Sequence, residues 1–267
     1  MTRRGLFLLT ALGARAGEVR RPDGATISYS VRNGTGRTTA PLILIPGSFG
    51  DRHVLDSLTA GISPNVPVIC VELRGHGNSQ PPAPGPSMEM FAGDVLAAAG
   101  KLGINRFYVG GHSIGGMLAI EIAGRRPGSV AGAIAIEGWT HHEVLREAFG
   151  TGPDTTLTPE QDRIRLEQRK RGLAGFTEAE SKAFASVWRQ WDGLPILLAT
   201  KVPILEIWGD RGRPRPSRDV MRIPDRPNIE LAWVEGASHA LLIQQPEAVA
   251  ALVNRFIART ELAALAR

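Results

Sequence analysis

The chain has 267 residues, 43% of them hydrophobic, which suffices for one large folded domain with a continuous core and excludes a disordered chain. Its 31 basic and 26 acidic residues leave a formal charge of +5, nearly all of it arginine, a pattern that a GC-rich coding sequence also produces and that by itself names no partner. The single cysteine, Cys70, excludes an internal disulfide framework or a thiolate metal cluster and reads as a buried strand residue.

At the N-terminus Thr2-Arg3-Arg4 precedes a short apolar run from Leu6 to Leu12 and then Ala14-Arg15-Ala16, which together resemble a secretory or twin-arginine signal. The run is at the lower limit of length for such a signal. Residues 1–16 therefore read as an extension or a removable leader, with a cytoplasmic chain preferred and export as the alternative. No segment approaches the ~20 apolar residues that span a bilayer, so no stable membrane insertion is expected.

Residues 17–34 contain a Pro-Asp-Gly turn between two short segments, the second alternating, which predicts a β-hairpin. Short apolar runs bounded by Gly and Pro follow at 41–46, 66–73, 106–111, 130–138, 202–209 and 229–236. Such runs suit strands buried on both faces, and the helix-like stretches between them predict a mostly parallel sheet with crossover helices. Residues 139–200 break the rhythm with no strand-like run, which predicts a helical insertion, or lid, in a core formed by 17–138 and 201–267. Capping boxes at Thr158-Pro159-Glu160-Gln161 and Thr177-Glu178-Ala179-Glu180 mark two of its helices. In the second, Phe184, Val187, Trp188 and Trp191 form one apolar stripe, expected both to pack on the core and to roof a pocket. Two arginine-rich clusters, at 163–171 and 211–218, lack the interleaved aromatics of a base-stacking surface; they read as solvated faces, and no nucleic-acid partner is expected.

Gly111-His112-Ser113-Ile114-Gly115 matches G-x-S-x-G, with a strand before it and a helix after it, the context that a strained, exposed serine requires. A serine hydroxyl is a weak nucleophile until a neighbouring base takes its proton. His239 follows the last predicted strand and Gly-Ala-Ser, and precedes the C-terminal helix, making it the candidate base.

With "LILIPGSFG", "ELRGHGNS", "VGGHSIGG", "IWGDRGRP" and "GASHALLIQQPE" in this order, the chain resembles the α/β-hydrolase fold superfamily from about residue 17 to residue 260. The resemblance implies a serine esterase or lactonase acting on a small-molecule ester, with Ser113 as nucleophile, His239 as general base, and the backbone N–H groups of Ser48 and Ile114 as the oxyanion hole. Pro46-Gly47 stands where the family usually has His-Gly, a tolerable departure because the donor is a backbone group. The third triad member is less clear. Gly212 occupies the usual aspartate position, leaving Glu137, Asp210 two residues early, or no acid at all. Glu137 is the leading candidate, because it closes the strand before the insertion, at the carboxyl edge of the sheet; zearalenone lactonases have a similar placement. Phe49, His112, Trp139, His142 and Trp188 are expected to touch substrate, Asp94 to cap or pair locally in the helix before the strand leading to Ser113, and Glu72 to support the site through its loop. The His141-His142 doublet is too weak a signal for a metal site, and no motif implies a metal, nucleotide or flavin. Two other readings stay open: a non-hydrolytic enzyme on the same fold, such as a lyase, cyclase or cofactor-free oxygenase, and a receptor-like binding protein with a weakened triad.

Overall fold

The structure, a computed structural model, describes residues 15–35, 39–150 and 156–266. The strands are β1 (Arg15–Arg20), β2 (Thr26–Arg32), β3 (Leu42–Ile45), β4 (Val68–Val71), β5 (Phe107–His112), β6 (Val130–Ile136), β7 (Ile204–Gly209) and β8 (Ile229–Val234). They form one sheet in the order β1-β2-β4-β3-β5-β6-β7-β8. The β1-β2 hairpin and its junction with β4 are antiparallel, and every other pairing is parallel. Strands β3, β4, β6 and β7 are buried along their whole length, which is why their sequences are apolar runs rather than alternating ones, interrupted only by Glu206 in β7. Cys70 lies buried in β4.

Helices α1 (Asp56–Gly61), α2 (Met88–Lys101), α3 (Ile114–Arg125), α8 (Leu241–Gln244) and α9 (Pro246–Leu265) flank the sheet. In α3 every residue from Ile114 to Ala123 is buried, as expected of a helix that is apolar all round. The chain leaves β3 for β4 on one side and returns to β5 on the other, so the topological switch point lies between β3 and β5. Loops at the carboxyl ends of these two strands diverge there and leave a crevice. The segments at 46–50 and at Ser113 meet at this crevice.

Between β6 and β7 the described residues contain α4 (Leu145–Phe149), α5 (Pro159–Leu173), α6 (Glu178–Gln190) and α7 (Leu194–Ala199), and no strand. Both capping boxes form: the Thr158 and Thr177 hydroxyls accept from the N–H groups of Gln161 and Glu180, whose side chains in turn accept from the Thr158 and Thr177 N–H groups. The stripe of α6 docks this insertion. Phe184, 2% exposed, packs against Phe49, His76 and Phe91, and the Trp191 indole donates to Glu121 of α3 at 2.8 Å. Fully burying side chains of this size contributes about 1.5–3 kcal/mol each. Gly172 is the one buried residue of α5, because any Cβ there would lie 1.7 Å from the Phe49 carbonyl oxygen.

The leader-like residues 1–14 lie outside the described residues. Strand β1 begins at Arg15, paired with Val31 of β2. No described helix is long and apolar enough to cross a membrane.

Candidate active site

Ser113 sits between β5 and α3 at φ 56, ψ −122, a backbone conformation that L-residues avoid and that the surrounding packing must impose. The two motif glycines let the turn close. A Cβ at Gly111 would lie 2.4 Å, and one at Gly115 2.2 Å, from the Ile45 carbonyl oxygen at the end of β3. Gly47 also passes close, since a Cβ there would lie 2.8 Å from His112 Nδ1 and 3.3 Å from the Ser113 Cβ.

Ser113 opens onto a cavity of about 880 Å³, whose wall also includes His239, Ser48, Phe49 and His112 from the core and Trp139 and Trp188 from the insertion. The size suits a small organic ligand. His239 stands on the loop between β8 and α8. That loop is held by Ser238, whose N–H and hydroxyl both donate to Gln244, and by the His112 Nε2–H, which donates to the His239 carbonyl at 2.7 Å. Burial, and then the neighbouring His239, push the His112 pKa down to about 3, so that ring is neutral and acts as a brace.

Glu137 follows β6 at φ 53 and is fully buried. Its Oε1 accepts from the Gly209 N–H at 2.6 Å, and its Oε2 accepts from Arg211 at 2.7 Å and lies 3.2 Å from His239 Nδ1. Burial alone would raise this carboxyl's pKa, but the His239 and Arg211 contacts outweigh it and hold the pKa below the ordinary value. An ionised Glu137 requires a proton on His239 Nδ1, which leaves Nε2 as the ring's acceptor. Asp210 is otherwise engaged: its carboxylate accepts from the Gly212 and Gly236 N–H groups at 3.0 and 2.7 Å and pairs with Arg215. Those bonds overcome the effect of burial and lower its pKa. Gly212, at the usual acid position, takes φ +64.

The Ser48 N–H donates to no described group, and Ile114 begins α3, where N–H groups have no intrahelical acceptor. The adjacent Phe49 N–H, by contrast, is taken: it donates to His76 Nε2 at 2.9 Å, while His76 Nδ1 donates to the Arg74 carbonyl. Burial holds the His76 pKa down to about 4, so the ring is a neutral acceptor and pins Phe49 at φ 59.

Three expectations change. His142 does not line the cavity; it is exposed, stacked on His141 at 4.3 Å, because the chain turns outward into the insertion at that point. The ligand atoms of His141, His142 and Glu143 lie within 4.8 Å of one another, but Glu143 already pairs with Arg222 and the His141 ring accepts the Glu143 N–H. Arg211, read from its arginine-rich neighbours as part of a solvated face, is 8% exposed and bound to Glu137, with its guanidinium 4.9 Å over the Phe149 ring. Asp94 pairs not locally but with Arg74 and Arg21, at 2.5 and 2.8 Å. Glu72 accepts the Arg52 and Asn78 N–H groups, as a loop support should. Phe149, edge-on to His239 at 4.8 Å, is a contact that no sequence motif marked, and His76 lies within ELRGHGNS, where the motif gave no sign of its bond to the Phe49 N–H.

A parallel sheet with a strained serine at its switch point and a histidine beside it in one cavity defines an α/β-hydrolase, and comparison with known proteins agrees. The profile of the alpha/beta hydrolase family matches residues 42–252, and the chain belongs to that family. A 2-(acetamidomethylene)succinate hydrolase from Mesorhizobium japonicum is 24% identical over 265 residues, covering 89% of this chain and 94% of that protein. With several other curated relatives the chain aligns over less than half of their length. Among solved structures, the enol-lactonase from Burkholderia xenovorans LB400 has a TM-score of 0.72 at 20% identity, covering 91% of this chain and 100% of that one. Est816, described as an N-acyl homoserine lactone degrading enzyme, has a TM-score of 0.72 at 22% identity, covering 90% and 100%. At these identities the structural neighbours establish the fold, and the family establishes a hydrolase.

Proposed function

We propose that the protein is a serine hydrolase that cleaves a carboxylic ester or lactone through an acyl-enzyme intermediate. The observation that carries this reading is the hydrogen-bond chain from buried Glu137 to His239 Nδ1, with the free face of His239 and the strained Ser113 on the wall of the same cavity. Ser113 Oγ attacks the acyl carbonyl while His239 Nε2 takes its proton. The oxyanion accepts from the Ser48 and Ile114 N–H groups, and His239 returns the proton to the departing alkoxide. Water, deprotonated by His239, then cleaves the acyl-enzyme and restores Ser113. Glu137 holds the imidazole in the required tautomer and stabilises its cationic form. Residues 139–200 act as the lid: Trp139 and Trp188 meet at 5.2 Å and supply an apolar wall for the acyl chain.

The test is pre-steady-state hydrolysis of 4-nitrophenyl butyrate. The expected result is a burst of nitrophenol stoichiometric with enzyme, absent in Ser113→Ala, together with labelling of Ser113 by a fluorophosphonate at neutral pH. Failure of the intact protein both to hydrolyse the ester and to react with the fluorophosphonate would contradict the proposal.

A further inference from the structure

Four basic residues of the insertion are paired with carboxylates. Arg163 pairs with Glu160 and Glu167, Arg165 with Asp162, Arg171 with Asp51, and Lys182 with Glu178, each within 3 Å. Arg169 of α5 and Arg189 of α6 have no carboxylate partner among the described residues; both line the cavity that holds Ser113. Each lies instead on an aromatic face of the same cavity, Arg169 at 5.4 Å from the Phe49 ring centroid and Arg189 at 4.7 Å from that of Trp188. Among the described residues of the cavity wall, the acidic side chain is Asp162, which is already occupied by Arg165. The wall therefore carries two uncompensated guanidinium groups, each steadied by a ring but with its N–H fork free. An uncharged acyl chain would leave both without a counter-ion, whereas a carboxylate accepts the planar N–H pair of a guanidinium in two parallel bonds.

We propose that the substrate carries a carboxylate besides the bond that is cleaved, and that Arg169 and Arg189, on two helices of the insertion, bind it. This rests on the reading of Ser113 as nucleophile and deepens it, from any ester or lactone to an anionic one.

The experiment compares 4-nitrophenyl hydrogen adipate with 4-nitrophenyl hexanoate, six-carbon acyl groups that differ in the terminal carboxylate, at low ionic strength. The expected result is a kcat/KM ratio favouring the adipate by about tenfold, falling about fivefold in Arg169→Gln and in Arg189→Gln, as suits ion pairs that stay partly exposed. Lys170→Gln, an unpaired surface cation beside Arg169 that does not line the cavity, should leave the ratio unchanged. Equal kcat/KM values for the two esters, or a ratio that survives both arginine substitutions, overturn the proposal. If neither ester is turned over, the serine-hydrolase reading fails first, and calorimetry with adipate dianion still decides this one. Binding lost in Arg169→Gln and Arg189→Gln supports it, and no binding to the intact protein overturns it.

Discussion

Glu206 lies in the middle of β7, fully buried, with one oxygen accepting from the Trp208 indole at 3.3 Å and the other without any hydrogen-bond partner. Burial pushes its pKa up from 4.5 to about 8, with the Trp208 bond and the distant Arg218 opposing it only in part. A folded-state value above the unfolded one means that the native protein holds a proton the unfolded chain has released. Stability is therefore lost as pH rises, by about 1.4 kcal/mol per unit at the steepest, and levels off above pH 8. Linkage over pH 6.5 to 8.5 gives a loss of about 2 kcal/mol from this one group. His76 and His112, whose pKa values fall from 6.5 to about 4 and about 3, act in the opposite sense, mainly below about pH 7, and cancel in a comparison with a variant that keeps both. The assay is urea unfolding at several pH values in that window for the wild type and for Glu206→Gln, which keeps the shape and removes the titration. The difference between the two proteins should change by about 2 kcal/mol across the window. Parallel curves would refute the reasoning, since they would mean that Glu206 is ionised, or hydrated, in the folded state.

Arg211→Met leaves the buried Glu137 with a lost cationic partner, so it should destabilise by about 3 kcal/mol in the same unfolding assay, and Arg211→Lys by less; an Arg211→Met protein as stable as wild type would count against the ion pair. His76→Phe removes the acceptor that fixes Phe49 and thereby frees the loop carrying the Ser48 N–H. It should lower kcat on 4-nitrophenyl butyrate by about tenfold or more with little change in KM, because the donor acts mainly on the transition state. An unchanged kcat would show that the loop holds its shape without His76.

Much of the architecture was readable from the chain. Residues buried on both faces are nearly all apolar, so β3 to β7 announce themselves as runs, with Glu206 in β7 as the exception, and Gly-rich turns announce where the backbone must pass close to a neighbour, as Gly115 does at Ile45. Glu137 stood out because a carboxylate at the end of an apolar run lies at the edge of a buried sheet. What stayed hidden depends on contacts between distant segments. Arg211 looks like Arg213, Arg215 and Arg218 in sequence, and only the turn after β7, with Arg211 at φ 56, carries it down onto Glu137. His142 follows Glu137 closely yet faces solvent, since spacing along an irregular segment sets no direction for a side chain. His76 and Phe49 are joined by one hydrogen bond between loops, with no periodic pattern to reveal it.

The identity of the acid that supports His239 distinguishes this site from one with the carboxylate after β7, and steady-state kinetics can decide it. With Glu137 in that role, Glu137→Gln lowers kcat about a hundredfold or more with little change in KM, whereas Asp210→Asn, whose carboxylate holds the Gly212 and Gly236 N–H groups rather than His239, changes kcat far less. The reverse ranking, with Asp210→Asn the more damaging in kcat, would contradict the account.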